Sequence, residues 1–268
     1  MNAQPKRFIH WRIAVFLCFT LAVSACVFFL PRIPQDPEYH LFADNRPIYN
    51  IPNFWDVLSN VPLLIVGIWG MIRTVPRPRT PAFNEAYERW PYVVFFLGIT
   101  LTCYGSAFYH WSPENRTLMW DRLPMAVAFM GIFSGTLGDR INPKAGTLCL
   151  VPMLLAGIGS AVYWYLSELN GSGDLRPYIL MQFFTITAIL LLLALFPARY
   201  THAGWMIGCG AAYIAAKVLE ILDRQIFDML RISGHTLKHV AASLAAACIV
   251  VMLRRRTGLK TVNTGKAS

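Results

Sequence analysis

The chain has 268 residues, of which 56% are hydrophobic and 14% charged, and a formal net charge of +10. Soluble domains carry about 25% charged residues, so this composition excludes an ordinary soluble domain and points into the bilayer. On a soluble chain the positive charge would suggest nucleic acid. Here the cations fall between apolar segments and read as loops facing an anionic membrane surface, so no nucleic-acid partner is expected.

A helix needs about 20 apolar residues to cross a bilayer. Eight stretches approach that length, at 12–31, 54–74, 90–110, 117–138, 145–166, 176–197, 203–222 and 234–253. The first follows a basic start at Lys6, Arg7 and Arg12. A cleaved signal peptide is the alternative there, and Val23-Ser24-Ala25-Cys26 loosely resembles a lipoprotein cleavage site. Yet Val27, Phe28, Phe29 and Leu30 carry the apolar run past the ~7–15 residues of a signal core, so an uncleaved anchor is expected.

The segment from Pro31 to Pro52 is polar, proline-rich and the longest external loop. Asn53-Phe54-Trp55-Asp56-Val57-Leu58-Ser59-Asn60 opens the second span. The third ends on Ser106-Ala107-Phe108-Tyr109-His110, and the fourth opens around Asp121 in Met119-Trp120-Asp121-Arg122-Leu123-Pro124-Met125. Pro113 between them favours a tight turn, which sets His110 and Asp121 facing each other across an antiparallel pair. Lys217, Glu220 and Asp223 near the end of the seventh read as an interfacial charged face, with Asp223 the best placed to support a nearby site. The eighth opens on Gly234-His235-Thr236-Leu237-Lys238-His239 and closes on Arg254-Arg255-Arg256; the tail after Gly258 reads as disordered.

Lys and Arg counting puts both termini in the cytoplasm, with a roughly twofold excess of cations (Arg77, Arg79, Lys260 and Lys266 among them) on that side. Trp11, Trp90, Trp111, Trp120 and Trp164 lie near span ends, as an aromatic belt requires. Cys18, Cys26, Cys103, Cys149, Cys209 and Cys248 all fall in apolar runs without a CxxC pair and read as small buried residues. His10, His40 and His202 read as solvated. Asn115-Arg116-Thr117 and Asn170-Gly171-Ser172 match glycosylation sequons, a pattern common by chance.

Ionisable residues inside spans cost roughly 2.5–3.5 kcal/mol each, which makes them functional candidates. His235 and His239, four apart, share a helix face and can grip one metal ion; no Glu follows His235, so this is not the HExxH protease motif. Ser106 and His110 share a face in the same way. On the charge-derived topology, all these groups and Asp121 lie toward the outer end of the bundle. Three imidazoles with a fourth position open are the pattern of catalytic zinc, although imidazole also suits iron, nickel or copper. A Ser between membrane helices commonly just packs. A transporter with a His/Asp proton path is a further reading.

At these residues the chain resembles the alkaline ceramidase family, part of a superfamily of seven-helix membrane hydrolases that includes the adiponectin-type receptors. The family pattern is a Ser four residues before a His, an Asp about eleven further on, and a late HxxxH. Ser106, His110, Asp121, His235 and His239 match it in order and spacing, and the segments Asn53–Asn60 and Leu123–Met125 also resemble it, over roughly residues 40–253.

The resemblance implies an all-α polytopic transmembrane bundle with a seven-helix core and one extra N-terminal transmembrane helix. Residues 1–31 would form a cytoplasmic tail and anchor, 32–53 an external loop, 54–253 the hydrolase domain, and 254–268 a basic cytoplasmic tail. It implies zinc held by His110, His235 and His239, Asp121 as general base and then acid, and Ser106 as oxyanion stabiliser. The substrate would be a ceramide-like membrane lipid, cleaved at its amide to a fatty acid and a sphingoid base. No protein partner is expected. Another lipid amide or ester, or a receptor-type protein with a structural metal, are the alternatives. Animal members also carry an acidic calcium-binding stretch before the core. Here Asp44, Asn45 and Asn53 are the nearest equivalents, and Asn53 stands where an acid is expected, which argues against Ca2+.

Overall fold

The structure, a computed structural model, describes residues 6–75 and 82–259. Arg77, Arg79, Lys260 and Lys266 of the charge count, and the tail from residue 260, lie outside the described residues.

Each of the eight apolar stretches is helical. Helix α1 is Lys6–Phe29. The second stretch is α2 (Phe54–Leu58) running into α3 (Val61–Thr74). Helices α4 (Trp90–Trp111), α5 (Asn115–Arg140) and α6 (Pro143–Leu169) follow. Then comes α7 (Arg176–Ile179), joined to α8 (Thr185–Leu195) by one wide turn at Leu180–Phe184. Helix α9 (Trp205–Ile221) bends by 79° into α10 (Asp223–Leu230), and α11 is Gly234–Arg255. Among the described residues six helical stretches are long and apolar enough to cross a membrane, or seven if the bent pair α9–α10 is one span. The chain is an integral membrane protein of all-α architecture.

The expected fourth span, now α5, is not among those six or seven. Asp121, Arg122, Asp139 and Arg140 lower its apolarity. It lies instead at the middle of the bundle, packed against α4, α6 and α8. A helix lined by protein needs no continuous lipid-facing apolar surface. Around it α4 packs on α3, α3 on α11 and α11 on α9, while α8 and α9 are not closely packed on each other. Helix α1 leans on α8 and the wide turn, with Phe19 stacked on Phe184, and most of its surface is exposed.

Close approach of α4 to α5 depends on Gly105. A Cβ there would collide with the backbone carbonyl of Trp120, so only glycine lets the turn carrying Ser106 meet the turn carrying Asp121.

The opposite end of the bundle departs from the expectation of a solvated basic tail. Arg256, the last of the arginine triplet, is 1% exposed. Its guanidinium donates to Asp139 Oδ2 at 2.5 Å and to the Ala82 carbonyl at 2.8 Å, between the rings of Phe83, Tyr92 and Tyr200. Tyr200 in turn hydrogen-bonds Glu88. Burial follows because a planar cation can be neutralised, hydrogen-bonded and stacked at once. Removing one partner of a buried ion pair costs about 3–5 kcal/mol, and the partial exposure of Asp139 puts this pair at the low end. Arg256→Met is therefore expected to lower the thermal midpoint measured in detergent by several degrees. An unchanged midpoint would deny this cluster a part in stability.

Candidate metal centre

Helix α11 begins where Ser233 caps it, its hydroxyl oxygen accepting the Thr236 amide at 2.8 Å. The helix starts hard against the bend between α9 and α10. A Cβ on Gly234 would meet the Leu219 carbonyl and stand 2.8 Å from Asp223 Cα. Asp223 then accepts the His235 amide (2.9 Å) through Oδ1 and the Ala43 amide (3.0 Å) through Oδ2. A single carboxylate thus ties the first turn of α11 to the segment before α2. Helical spacing puts His235 and His239 on one face, and α4 delivers His110 against them.

All three histidines are buried, and His110 is 0% exposed. Their ring centroids are 4.7 to 5.0 Å apart. One ligand nitrogen from each lies within 4.8 Å of the other two. His110 Nε2 and His239 Nε2 are 3.3 Å apart. Two nitrogens at the 2.0–2.1 Å bond lengths of tetrahedral zinc lie about 3.3 Å apart, so this pair already has the spacing of shared ligands.

The tautomers agree. Ser59 donates to the Asp56 carbonyl (3.1 Å) and therefore accepts His239 Nδ1–H at 2.7 Å, which leaves the lone pair of His239 on Nε2. Among the described residues, His235 Nε2 and His110 Nδ1 are buried with no hydrogen-bond partner. Such orphans cost about 1–3 kcal/mol each, and a cation accepting the imidazole lone pair removes that cost at His235. The buried group His110–His235–His239 is able to bind a metal ion, and the donor set fits zinc.

The support around it was largely hidden in the sequence. Asp56 is fully buried and accepts from Ser233 (2.9 Å) and Thr236 (2.6 Å), tying α2 to the start of α11. An acid in an apolar span was the available signal for Asp56; Ser59 offered none. Asn53 donates to the His110 carbonyl at 2.8 Å. The segment before α2 folds onto the bundle end, and the Phe42 ring lies 4.6 Å from that of His110 and 5.0 Å from that of His235. Within it Asp44 is engaged by Arg46, at 2.7 and 2.6 Å. His40, read as solvated, is hydrogen-bonded to Tyr109 (3.0 Å) and Asn115 (3.1 Å).

Ser106 and Asp121 come together as well. The hydroxyl and the carboxylate lie close enough to interact. Both line, with His239 and Lys238, a cavity of about 180 Å³ whose other walls are mainly apolar residues of α4, α5, α8, α9 and α11. The cavity runs along α4 from Ser106 to Phe95, eleven residues or about 16 Å of helix. It lies where α8 and α9 are not closely packed, a gap bridged by the hydrogen bond from Gln182 to the Tyr213 hydroxyl at 2.6 Å. Lys217, Glu220 and Lys238 form a linked group beside it, correcting the view of Lys217 and Glu220 as a snorkelling face: Glu220 accepts from Lys217 at 2.6 Å and from Lys238 at 2.8 Å. Comparison of the chain with protein-family models, with curated proteins and with solved structures finds no match, so the reading of this centre rests on its own geometry and chemistry.

Proposed function

We propose that the chain is a membrane-embedded, zinc-dependent hydrolase that cleaves the amide bond of ceramide or a related sphingolipid, releasing a fatty acid and a sphingoid base. One observation carries the reading: three buried imidazoles able to share an ion stand at the polar end of a long apolar cavity, whose wall there also holds a carboxylate and a hydroxyl. The resemblance of Ser106, His110, Asp121, His235 and His239 to the alkaline ceramidase pattern supports it. So does the contrast between the cavity's polar end and its apolar walls, which matches a lipid held by its tail.

His110, His235 and His239 would hold the zinc, which when bound supplies Lewis acidity and makes water acidic enough to react near neutral pH. The apolar walls take the acyl chain and keep bulk water from it. Asp121 takes the proton from the attacking water and then gives it to the departing amine nitrogen. The Ser106 hydroxyl turns from Asp121 toward the carbonyl oxygen as negative charge gathers there. Phe42 and the segment around it close the outer side of the histidine cluster. The positive charge bias sets both termini in the cytoplasm and the metal end on the other face.

The test is the release of fatty acid from ceramide by the purified, zinc-loaded protein in detergent. Ser106→Ala is expected to keep its zinc and to lose about 10²–10³-fold in kcat, the usual effect of removing one oxyanion donor. Intact lipid after prolonged incubation would point to a receptor with a structural metal. Cleavage of ester lipids in preference to amides would move the substrate class.

A further inference from the structure

Lys238 lies between the two histidines of α11, and its side chain is only 18% exposed. It lines the cavity with His239, Asp121 and Ser106. An ammonium carries three donors and no acceptor. Among the described residues Lys238 has one partner, Glu220, at 2.8 Å. That carboxylate is shared, since it also accepts from Lys217 at 2.6 Å and from the Tyr39 hydroxyl at 3.2 Å.

None of the other acids near it is hydrogen-bonded to it among the described residues. Asp223 is held by the amides of Ala43 and His235 and Asp56 by the hydroxyls of Ser233 and Thr236, while Asp121 acts on Lys238 and Arg122 through space. Beyond Tyr39 stands a second cation, Arg122, 7% exposed and caged by the rings of Tyr39, Trp164 and Tyr178. Among the described residues it donates to Gln35 at 2.8 Å, and its Nη1 is buried without a partner. Of these two cations it is Lys238 that lines the cavity, where among the described residues its ammonium keeps donors free beside Asp121 and Ser106.

We propose that Lys238 is a specificity residue that receives an acidic oxyanion, phosphate or carboxylate, on the head group of the amide lipid. The proposal rests on the hydrolase reading for its substrate but not for its binding. A neutral hydroxyl would fill a donor of Lys238 weakly; an oxyanion fills it through a shorter and stronger charge-assisted hydrogen bond.

Three lipids with the same N-hexadecanoyl chain serve as probes: N-acylsphingosine, its 1-phosphate, and N-acylglycine. For the zinc-loaded wild type, at least one acid-headed probe is expected to show a KM about tenfold below that of the neutral lipid, the value of one charge-assisted hydrogen bond. Which acid wins separates phosphate from carboxylate. Lys238→Met is expected to erase the preference through KM with kcat little changed, and Lys238→Arg to restore most of it. Equal KM for all three probes in the wild type, or a preference that survives in Lys238→Met, overturns the proposal. Binding is read in parallel from intrinsic fluorescence on titration with each probe. If no amide is cleaved at all, the hydrolase reading fails, and the Lys238→Met to wild-type ratio of Kd for the acid-headed probes decides the head-group proposal: about tenfold supports it, unity ends it.

Discussion

Wild-type protein purified in the presence of zinc is expected to carry one equivalent of the metal, and His235→Ala very little. The reason lies in how the ion would be held. His235 supplies a buried nitrogen with no other partner, on the same helix face as His239. Removing an outer-shell group that only orients a ligand typically weakens metal affinity 10–100-fold; removing the ligand itself is expected to cost more than about 100-fold. The metal also stabilises whatever fold binds it, by about 4 kcal/mol at a thousand times Kd. A chelator should therefore lower the thermal midpoint of the wild type by several degrees and leave that of His235→Ala unmoved. His239→Ala should behave the same way, with activity lost alongside the metal. Retention of a full equivalent by either variant, in elemental analysis of folded protein, would dissolve the centre.

Asp121→Ala separates binding from chemistry. Asp121 lines the cavity but does not belong to the histidine group that can share an ion. Zinc content should stay near one equivalent, while amide hydrolysis falls by about 10²–10⁴-fold, the usual contribution of a placed proton carrier. Asp121→Asn preserves shape and polarity but cannot shuttle the proton, so it should lose as much. Hydrolysis at the wild-type rate in either variant would take the proton-carrier role away from Asp121. Loss of zinc together with activity would show instead that Asp121 supports the metal cluster.

Much of the site was legible because its pieces are local patterns. His235 and His239 share a face through the helical repeat alone, and Ser106 and His110 do the same on α4. The short turn at Pro113 accounts for the meeting of α4 and α5. What the repeat could not tell was that Gly105 and Gly234 permit the close contacts between helices, or that Asp223 binds two backbone amides on different segments. Lys217 and Glu220 looked like an exposed charged edge because hydropathy reports how polar a residue is, not what it faces. For the same reason Arg256 looked like the start of a basic cytoplasmic tail and turned out to be buried.

The sequence by itself determined that this is a helical membrane protein, where its helices run, and which imidazoles share a face. Hydrophobic length and the 3.6-residue repeat are properties of neighbouring residues, and both can be read along a single strand of text. Only the tertiary structure decided that α5 runs through the middle, that the segment before α2 lays Phe42 over the histidines, and that an apolar cavity ends beside Asp121. Those facts depend on side chains far apart in the chain, such as His110 and His239, and packing between helices has no period from which they could be read.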